Sequence, residues 1–364
     1  MMLPAHDSYR AIGLMSGSSL DGVDLAYCHF SFTDGRWHFS VEKTVCIEYA
    51  QEWLLKLRSA RDLDGRSLWQ LHADYGHLLG GMVADFVEAN DLKGKVDLIA
   101  SHGHTIFHFP DQGFTTQIGD GAAIAAETSI PVVSDLRSSD VALGGSGAPI
   151  VPIGDRLLFP QYAYLLNLGG IANITIKAGD SITAFDICPA NQVLNHYAQQ
   201  LGHQFDVNGH LAASGQINVG LLATLNAMDY YQRPAPKSLD NGYTTDHILP
   251  AVEKYSISIQ DKLATVIEHI AVQIGLHISR AALASDTHAK MLITGGGAFN
   301  TYLVNRISHH ATVTLEVPSA QIVSYKEAIV MALIGVLRLR GEVNVLSSVT
   351  GASRDARCGA IYLP

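Results

Sequence analysis

Cysteine is scarce in this chain: four residues in 364 (Cys28, Cys46, Cys188, Cys358), scattered and without a CxxC pair. That excludes a disulfide framework and a cysteine-built zinc site, and it points to free thiols in a reducing compartment, hence a cytoplasmic protein. Long apolar runs are missing as well. None reaches the roughly 20 residues that span a bilayer. The opening MMLPAHDSYR lacks a hydrophobic core followed by a small-residue cleavage site, so no secretory leader is expected. A basic excess is also absent, since 24 Lys+Arg stand against 34 Asp+Glu for a formal charge of −10. Proteins that wrap polyanions show the opposite balance, so neither a nucleic acid nor a membrane is an expected partner. A phosphate ligand stays open, because backbone N–H groups bind phosphate without net positive charge.

What the chain does have is apolar side chains, 48% of the total against 16% charged, and 33 glycines. This is enough for a sizeable core, and at roughly 150 residues per domain the length suggests two domains. The segment from Arg10 to Phe32 reads strand, glycine turn, strand, and Trp37–Val41 extends the pattern. Apolar residues at three- and four-residue spacing from Ser67 to Val87 predict an amphipathic helix, with short buried strands at Val96–Ala100 and Ile130–Val133. The order then restarts. Strands at Tyr162–Leu168, Ile171–Ile176 and Thr183–Phe185 precede helices near Gln192–Leu201, Asn218–Met228 and Ile259–Ala284, then a strand at Met291–Thr294 and a helix at Lys326–Leu339. Two successive rounds of hairpin, helix and strand predict duplicated α/β lobes. Residues 1–150 with about 340–364 are expected to form the first, and 151–339 the second.

Glycine turns at strand ends carry the first chemical signal. Gly17-Ser18-Ser19, Gly169-Gly170 and Gly295-Gly296-Gly297 each follow an apolar strand, where inward-pointing N–H groups can approach phosphate oxygens. Gly144-Gly145-Ser146-Gly147 is equally flexible. There is no GxxxxGK[ST] and no GxGxxG before the first helix, so neither a P-loop nor a dinucleotide fingerprint accounts for them. A nucleotide held by one turn from each lobe fits better.

The charged candidates are each open to more than one reading. Asp186 ends an apolar strand and is a general base, a holder of Mg²⁺ through water, or the cap of the helix near Asn191. Asp21 and Asp24 follow the first glycine turn, where they serve turn geometry or, for Asp21, hold Mg²⁺ through water. His102 and His104 form an HxH that is either half of a metal site, making a metal-dependent hydrolase, or a polar substrate contact. Glu327 opens a helix and either complements its dipole or meets a sugar hydroxyl.

IGLMSGSSLDGVD (12–24), SHGHTIFHFP (101–110), IPVVSDLRSSDVALGGSGAPIVP (130–152), NLGGIANIT (167–175), PKSLDN (236–241) and ITGGGAFN (293–300) together resemble the anhydro-N-acetylmuramic acid kinase family, within the sugar kinase/actin-like ATPase superfamily. The resemblance implies an α/β, two-lobed actin-like/sugar-kinase (ribonuclease H-like) fold with an interlobe active site. It implies that ATP, with Mg²⁺, and water convert 1,6-anhydro-N-acetylmuramic acid to N-acetylmuramic acid 6-phosphate and ADP in cell-wall recycling, and it favours a homodimer. By the same resemblance Asp186 is the base. Gly17, Ser18, Ser19, Leu20, Asp21, Gly22, Val23 and Asp24 match the ATP-phosphate segment, joined by Gly169, Gly170, Asn191, Gly295, Gly296 and Gly297. His102, Thr105, Arg137, Gly147 and Glu327 match sugar-contacting regions. The family's FDTGPGN reads Phe185-Asp186-Ile187-Cys188-Pro189-Ala190-Asn191 here, and His104 and Ser146 stand where the family has Gln. This altered loop motivates a second reading, a nucleotide-binding paralogue without catalysis.

Overall fold

The alternating apolar residues at the start of the chain build an antiparallel meander of β1 (Ser8–Ser16), β2 (Val23–Thr33) and β3 (Arg36–Ile47). The structure is a computed structural model that describes residues 6–17, 20–179, 181–235, 237–239, 242–281 and 289–364. Beside β1 run β4 (Leu98–Ser101) and β7 (Val132–Ser134), both parallel, and the C-terminal β13 (Ala360–Tyr362) closes that edge antiparallel to β7. A separate hairpin of β5 (His104–Phe109) and β6 (Phe114–Ile118) follows β4.

The second sheet repeats this plan. Its meander is β8 (Tyr164–Leu168), β9 (Ile171–Ala178) and β10 (Ser181–Pro189), and β11 (Lys290–Thr294) and β12 (Thr314–Glu316) lie parallel beyond β8. The orders β7-β4-β1-β2-β3 and β10-β9-β8-β11-β12 are one topology written twice. This is the duplicated α/β lobe that the order of elements in the sequence predicts.

Two units divide the chain: Met1–Phe159 with Tyr325–Pro364, and Pro160–Ser324. Residues 151–159 and 325–339, which sequence order suggests for the second lobe, therefore fall with the first. Glycine packing explains why. A Cβ at Gly13 of β1 would strike Ala328 O in the helix Ala320–Arg340, one at Gly335 would come within 2.6 Å of Ala100 Cβ on β4, and one at Gly154 would strike Val330. That helix lies on the first sheet at backbone distance, and nothing larger than glycine fits.

Each unit has its own core. In the first, Tyr75, Leu79 and Val83 of the helix Gly65–Ala89 pack on Ile12, Leu14 and Ile99 of the sheet. In the second, Val266, Ile270 and Ile274 of the helix Ile259–Arg280 pack with Leu166, Ile174 and Ile293. Among the described residues no helix is long and apolar enough to cross a membrane.

Candidate active site

In the second unit the site grows from one irregularity in β10. Asp186 pairs with Asn173 and Cys188 with Ala172, so Ile187 is an extra residue and the strand bulges there. A bulge breaks the ladder and turns the neighbouring side chain to a new direction. Asp186, partly buried, uses the freedom to accept the Leu239 N–H at 3.0 Å on Oδ2. Burial raises its carboxyl above the ordinary carboxylate range, and the Leu239 N–H pulls it partly back. The helix-cap reading of Asp186 is overturned. The helix Asn191–Gln200 takes Ala190 as its N-cap with no side-chain acceptor, and the N–H groups of Ala190 and Asn191 bond to the carbonyls of Gly170 and Gly169 at 2.8 and 3.1 Å. Ile187, Cys188 and Ala190 are all fully buried, so the residues that depart from the family pattern fill core space. Burial pushes the Cys188 thiol far up, and it serves as a small apolar side chain.

The two glycine turns of this unit end the neighbouring parallel strands β8 and β11. Gly295 has φ +79°, and a Cβ there would come within 2.5 Å of Asn167 Oδ1 and 2.9 Å of Leu168 O. A Cβ on Gly297 would lie 2.7 Å from Leu168 Cβ, whereas one on Gly296 would meet only Asn191 Nδ2 at 3.8 Å. Gly296 thus stands on the open side of a tight backbone cradle. Asn191 Nδ2 donates to Leu168 O at 2.9 Å and ties the helix start to the same place. One detail corrects the simplest picture of this turn. The Gly295 N–H already bonds to Val323 O at 3.1 Å, so the donors it offers begin with Gly296 and Gly297, the first residues of the 3₁₀ turn Gly296–Phe299.

In the first unit the segment Gly17–Asp24 is described in part. Ser18 and Ser19 lie outside the described residues. Leu20 has φ +60°, unusual for a branched side chain and costly in backbone energy, and its N–H reaches Gly17 O at 3.4 Å. Gly22 has φ +158°, and a Cβ on it would come within 2.5 Å of Ile47 O. Val23 is fully buried, so its side chain belongs to the core and leaves only its backbone for a ligand. Asp21 is exposed, and Asp24 is partly buried. Burial raises the Asp24 carboxyl, a hydrogen bond from the Cys46 thiol lowers it, and the charge of Asp21 raises it again.

His102 is buried and doubly committed. Its Nδ1 donates to Gly103 O at 2.9 Å, and its Nε2 accepts from Arg137 Nε at 2.8 Å. Burial and the Arg137 charge push it down to about 3, so it stays neutral. With both nitrogens occupied the ring has no lone pair for a metal, which removes the basis of the hydrolase reading. His104, also buried, meets Ser16 Oγ through Nδ1 at 3.0 Å, and Ser16 continues to Tyr49 at 2.7 Å.

Arg137 Nη1 donates to Gly147 O at 2.6 Å, and the Gly147 N–H donates to the fully buried Asp140 Oδ2 at 2.8 Å. Thr350 Oγ1 donates to the other oxygen of Asp140 at 2.8 Å. Burial lowers Arg137 to about 10, which leaves it cationic at neutral pH. Glu327 has a solvent-accessible side chain, yet protein crowds its carboxyl. Desolvation raises it, Lys326 and Arg137 oppose the rise, and Asp24 adds to it. Thr105, exposed on β5, accepts from Gln117 Nε2 at 3.3 Å across the hairpin. The structure thus joins His102, Arg137 and Gly147 in one hydrogen-bonded set and leaves Thr105 apart from it. Asp140, Tyr230 and Leu239 are not among the sequence candidates, because a buried Asp in the short helix Ser138–Ala142, a buried tyrosine and a backbone N–H carry no motif of their own.

The sequence profile of the anhydro-N-acetylmuramic acid kinase family matches residues 9–364. A relative from Aliivibrio fischeri with that name is 34% identical over 373 aligned residues, covering 97% of this chain and 99% of its own. One from Saccharophagus degradans is 33% identical with 97% and 98% covered, and one from Vibrio parahaemolyticus is 31% identical with 96% and 97% covered. With agreement from end to end, and a bulged carboxylate and a glycine cradle in the expected segments, this chain belongs to the anhydro-N-acetylmuramic acid kinase family.

Proposed function

We propose that the protein is an ATP-dependent anhydro-N-acetylmuramic acid kinase. It opens the 1,6-anhydro ring with water, phosphorylates O6, and releases N-acetylmuramic acid 6-phosphate and ADP, a step of amino-sugar recycling from peptidoglycan. The observation that carries this reading is Asp186, a carboxylate set on a bulge and held by the Leu239 N–H in a chain of this family. Asp186 orients the attacking water and accepts its proton as the water oxygen bonds to the anomeric carbon. The C1–O6 bond breaks, and O6 takes the γ-phosphoryl group from ATP.

Roles divide between the units. The second supplies the base and, through the N–H groups of Gly296 and Gly297 with Gly169, Gly170 and Asn191, a nucleotide loop. A cradle that admits no Cβ at Gly295 and Gly297 suits phosphate oxygens. The first supplies the phosphate segment Gly17–Asp24 and the sugar contacts His102, Thr105, Arg137, Gly147 and Glu327. The exposed carboxylate of Asp21 is suited to hold Mg²⁺ through water. When bound, Mg²⁺ neutralises charge on the transferring phosphoryl group. A homodimer in a reducing cytoplasm completes the proposal, in keeping with three buried cysteines, Cys28, Cys188 and Cys358.

The test is ADP release from ATP–Mg²⁺ with 1,6-anhydro-N-acetylmuramic acid, with the 6-phosphate identified by mass spectrometry. Stoichiometric ADP and sugar phosphate are expected. A folded protein that binds ATP and yields neither product would establish the non-catalytic paralogue.

A further inference from the structure

We propose that Tyr230 and Lys237 are positioning residues for Asp186, closing a hydrogen-bonded ring that fixes where its carboxylate sits. This rests on the reading of Asp186 as the base. The bulge is the reason a ring is needed, since Ile187 has no partner on β9 and the backbone there lacks a regular ladder to hold it. Tyr230 is 2% exposed and donates its hydroxyl to the Asp186 carbonyl at 2.7 Å. The Asp186 N–H donates to the Lys237 carbonyl at 3.0 Å. Lys237 Nζ returns to the Tyr230 carbonyl at 3.1 Å and stands 4.5 Å from the centre of its ring. The circuit therefore runs from Asp186 to Lys237 to Tyr230 and back to Asp186.

The circuit also decides where Leu239 stands. Two residues beyond Lys237, its N–H reaches Asp186 Oδ2 at 3.0 Å and is the contact that draws the carboxyl back towards the ionised form. A slackened ring frees that N–H and lets the carboxylate turn away from the water it must hold. Of the other ionisable groups near the circuit, burial keeps Cys188 and Tyr231 neutral, and His277, held down to about 4 by burial and the neighbouring charges of Lys237 and Arg280, gains its own charge only in the acid range.

The experiment compares Tyr230→Phe, Lys237→Met, Lys237→Arg and Asp186→Asn by kcat, KM for ATP and for the sugar, and pH profile, with thermal unfolding of each. Tyr230→Phe and Lys237→Met should each lower kcat roughly tenfold, the factor that loss of one charge-linked hydrogen bond brings. KM for ATP should hold, and the acid limb should move to higher pH. Lys237→Arg should retain most of the rate. Tyr230→Phe added to Asp186→Asn should cost nothing further. Unchanged kcat and an unmoved limb in both ring variants, while Asp186→Asn is inactive, would overturn the positioning role and leave the base intact. Wild-type turnover in Asp186→Asn removes the base, and the ring with it. If Tyr230→Phe loses cooperative unfolding, the partly exposed Lys237 decides by the same readouts.

Discussion

The two units hold their candidate residues with different materials. The second relies on backbone: a bulge turns Asp186, glycines without room for a Cβ shape the cradle at Gly295 and Gly297, and one amide N–H pins the carboxylate. The first relies on side chains, with Asp140 holding Gly147, Gly147 holding Arg137, and Arg137 holding His102. Backbone devices constrain residue type sharply, since only glycine fits a positive φ against a neighbouring carbonyl. Side-chain chains constrain partners, and any one link can be lost while the local fold persists.

The sharpest break of this contrast falls on the backbone-held base. Asp186→Asn keeps the shape and can still accept from Leu239, so folding should survive while turnover falls about 10²–10⁴-fold, the usual contribution of a placed base. Steady-state ADP release measures it, and turnover within a few-fold of wild type would move the base elsewhere, with Glu327 next in line. On the side-chain network Arg137→Lys is the matching break. A lysine cannot span both His102 Nε2 and Gly147 O, and losing a charged hydrogen bond should lower kcat/KM for the sugar roughly 10–100-fold with ATP kinetics unchanged. An equal loss for ATP would show that Arg137 is not specific to the sugar.

Gly296→Val sharpens the comparison from the other side. Its Cβ has open space, so the variant should fold normally, yet the branched side chain enters the proposed phosphate path. KM for ATP should rise about tenfold, on the scale of a packing clash, with KM for the sugar steady. Identical ATP kinetics would take the cradle away from the nucleotide.

Much of this was legible in the chain. Apolar periodicity located both meanders and the long helices, and the glycine motifs located both turns. The β5–β6 hairpin is hidden in a histidine-rich stretch that reads as chemistry, while Phe107, Phe109 and Phe114 pack against one another in tilted and edge-on pairs. β12 has three residues and none is buried, so it carried no hydrophobic signal. The helix predicted to reach Ala284 is described to Arg280, and its last predicted residues, 282–284, lie outside the described ones. In the sequence Asp186 reads as a cap as readily as a base, because Asn191 starts a helix five residues later. Only the tertiary approach of Leu239 shows which donor the carboxylate meets, and no pairing rule read along one strand predicts it.

The smallest expected effect separates stability from activity at the same residue. The Asp186 carboxyl is raised in the folded state, so the folded protein holds its proton more tightly than the unfolded chain does. Ionised Asp186 therefore opposes folding. The penalty grows as pH rises from the unfolded to the folded pKa, and it stays constant above. Asp186→Asn should leave the Tm at neutral pH equal or slightly higher, with the difference closing towards acid. A clearly lower Tm at neutral pH would assign Asp186 a structural duty instead.

The division of the chain also sets an order of assembly. The second unit is one unbroken stretch, Pro160–Ser324, whereas the first waits for Tyr325–Pro364 to supply its packing helix and the edge strand β13. On a ribosome the inserted unit can finish its sheet while the unit that began the chain is still incomplete. The strands that precede the inserted unit are thus sealed only after it. Until then β7 offers an unpaired edge, and damage to the final residues is felt in the fold of the first.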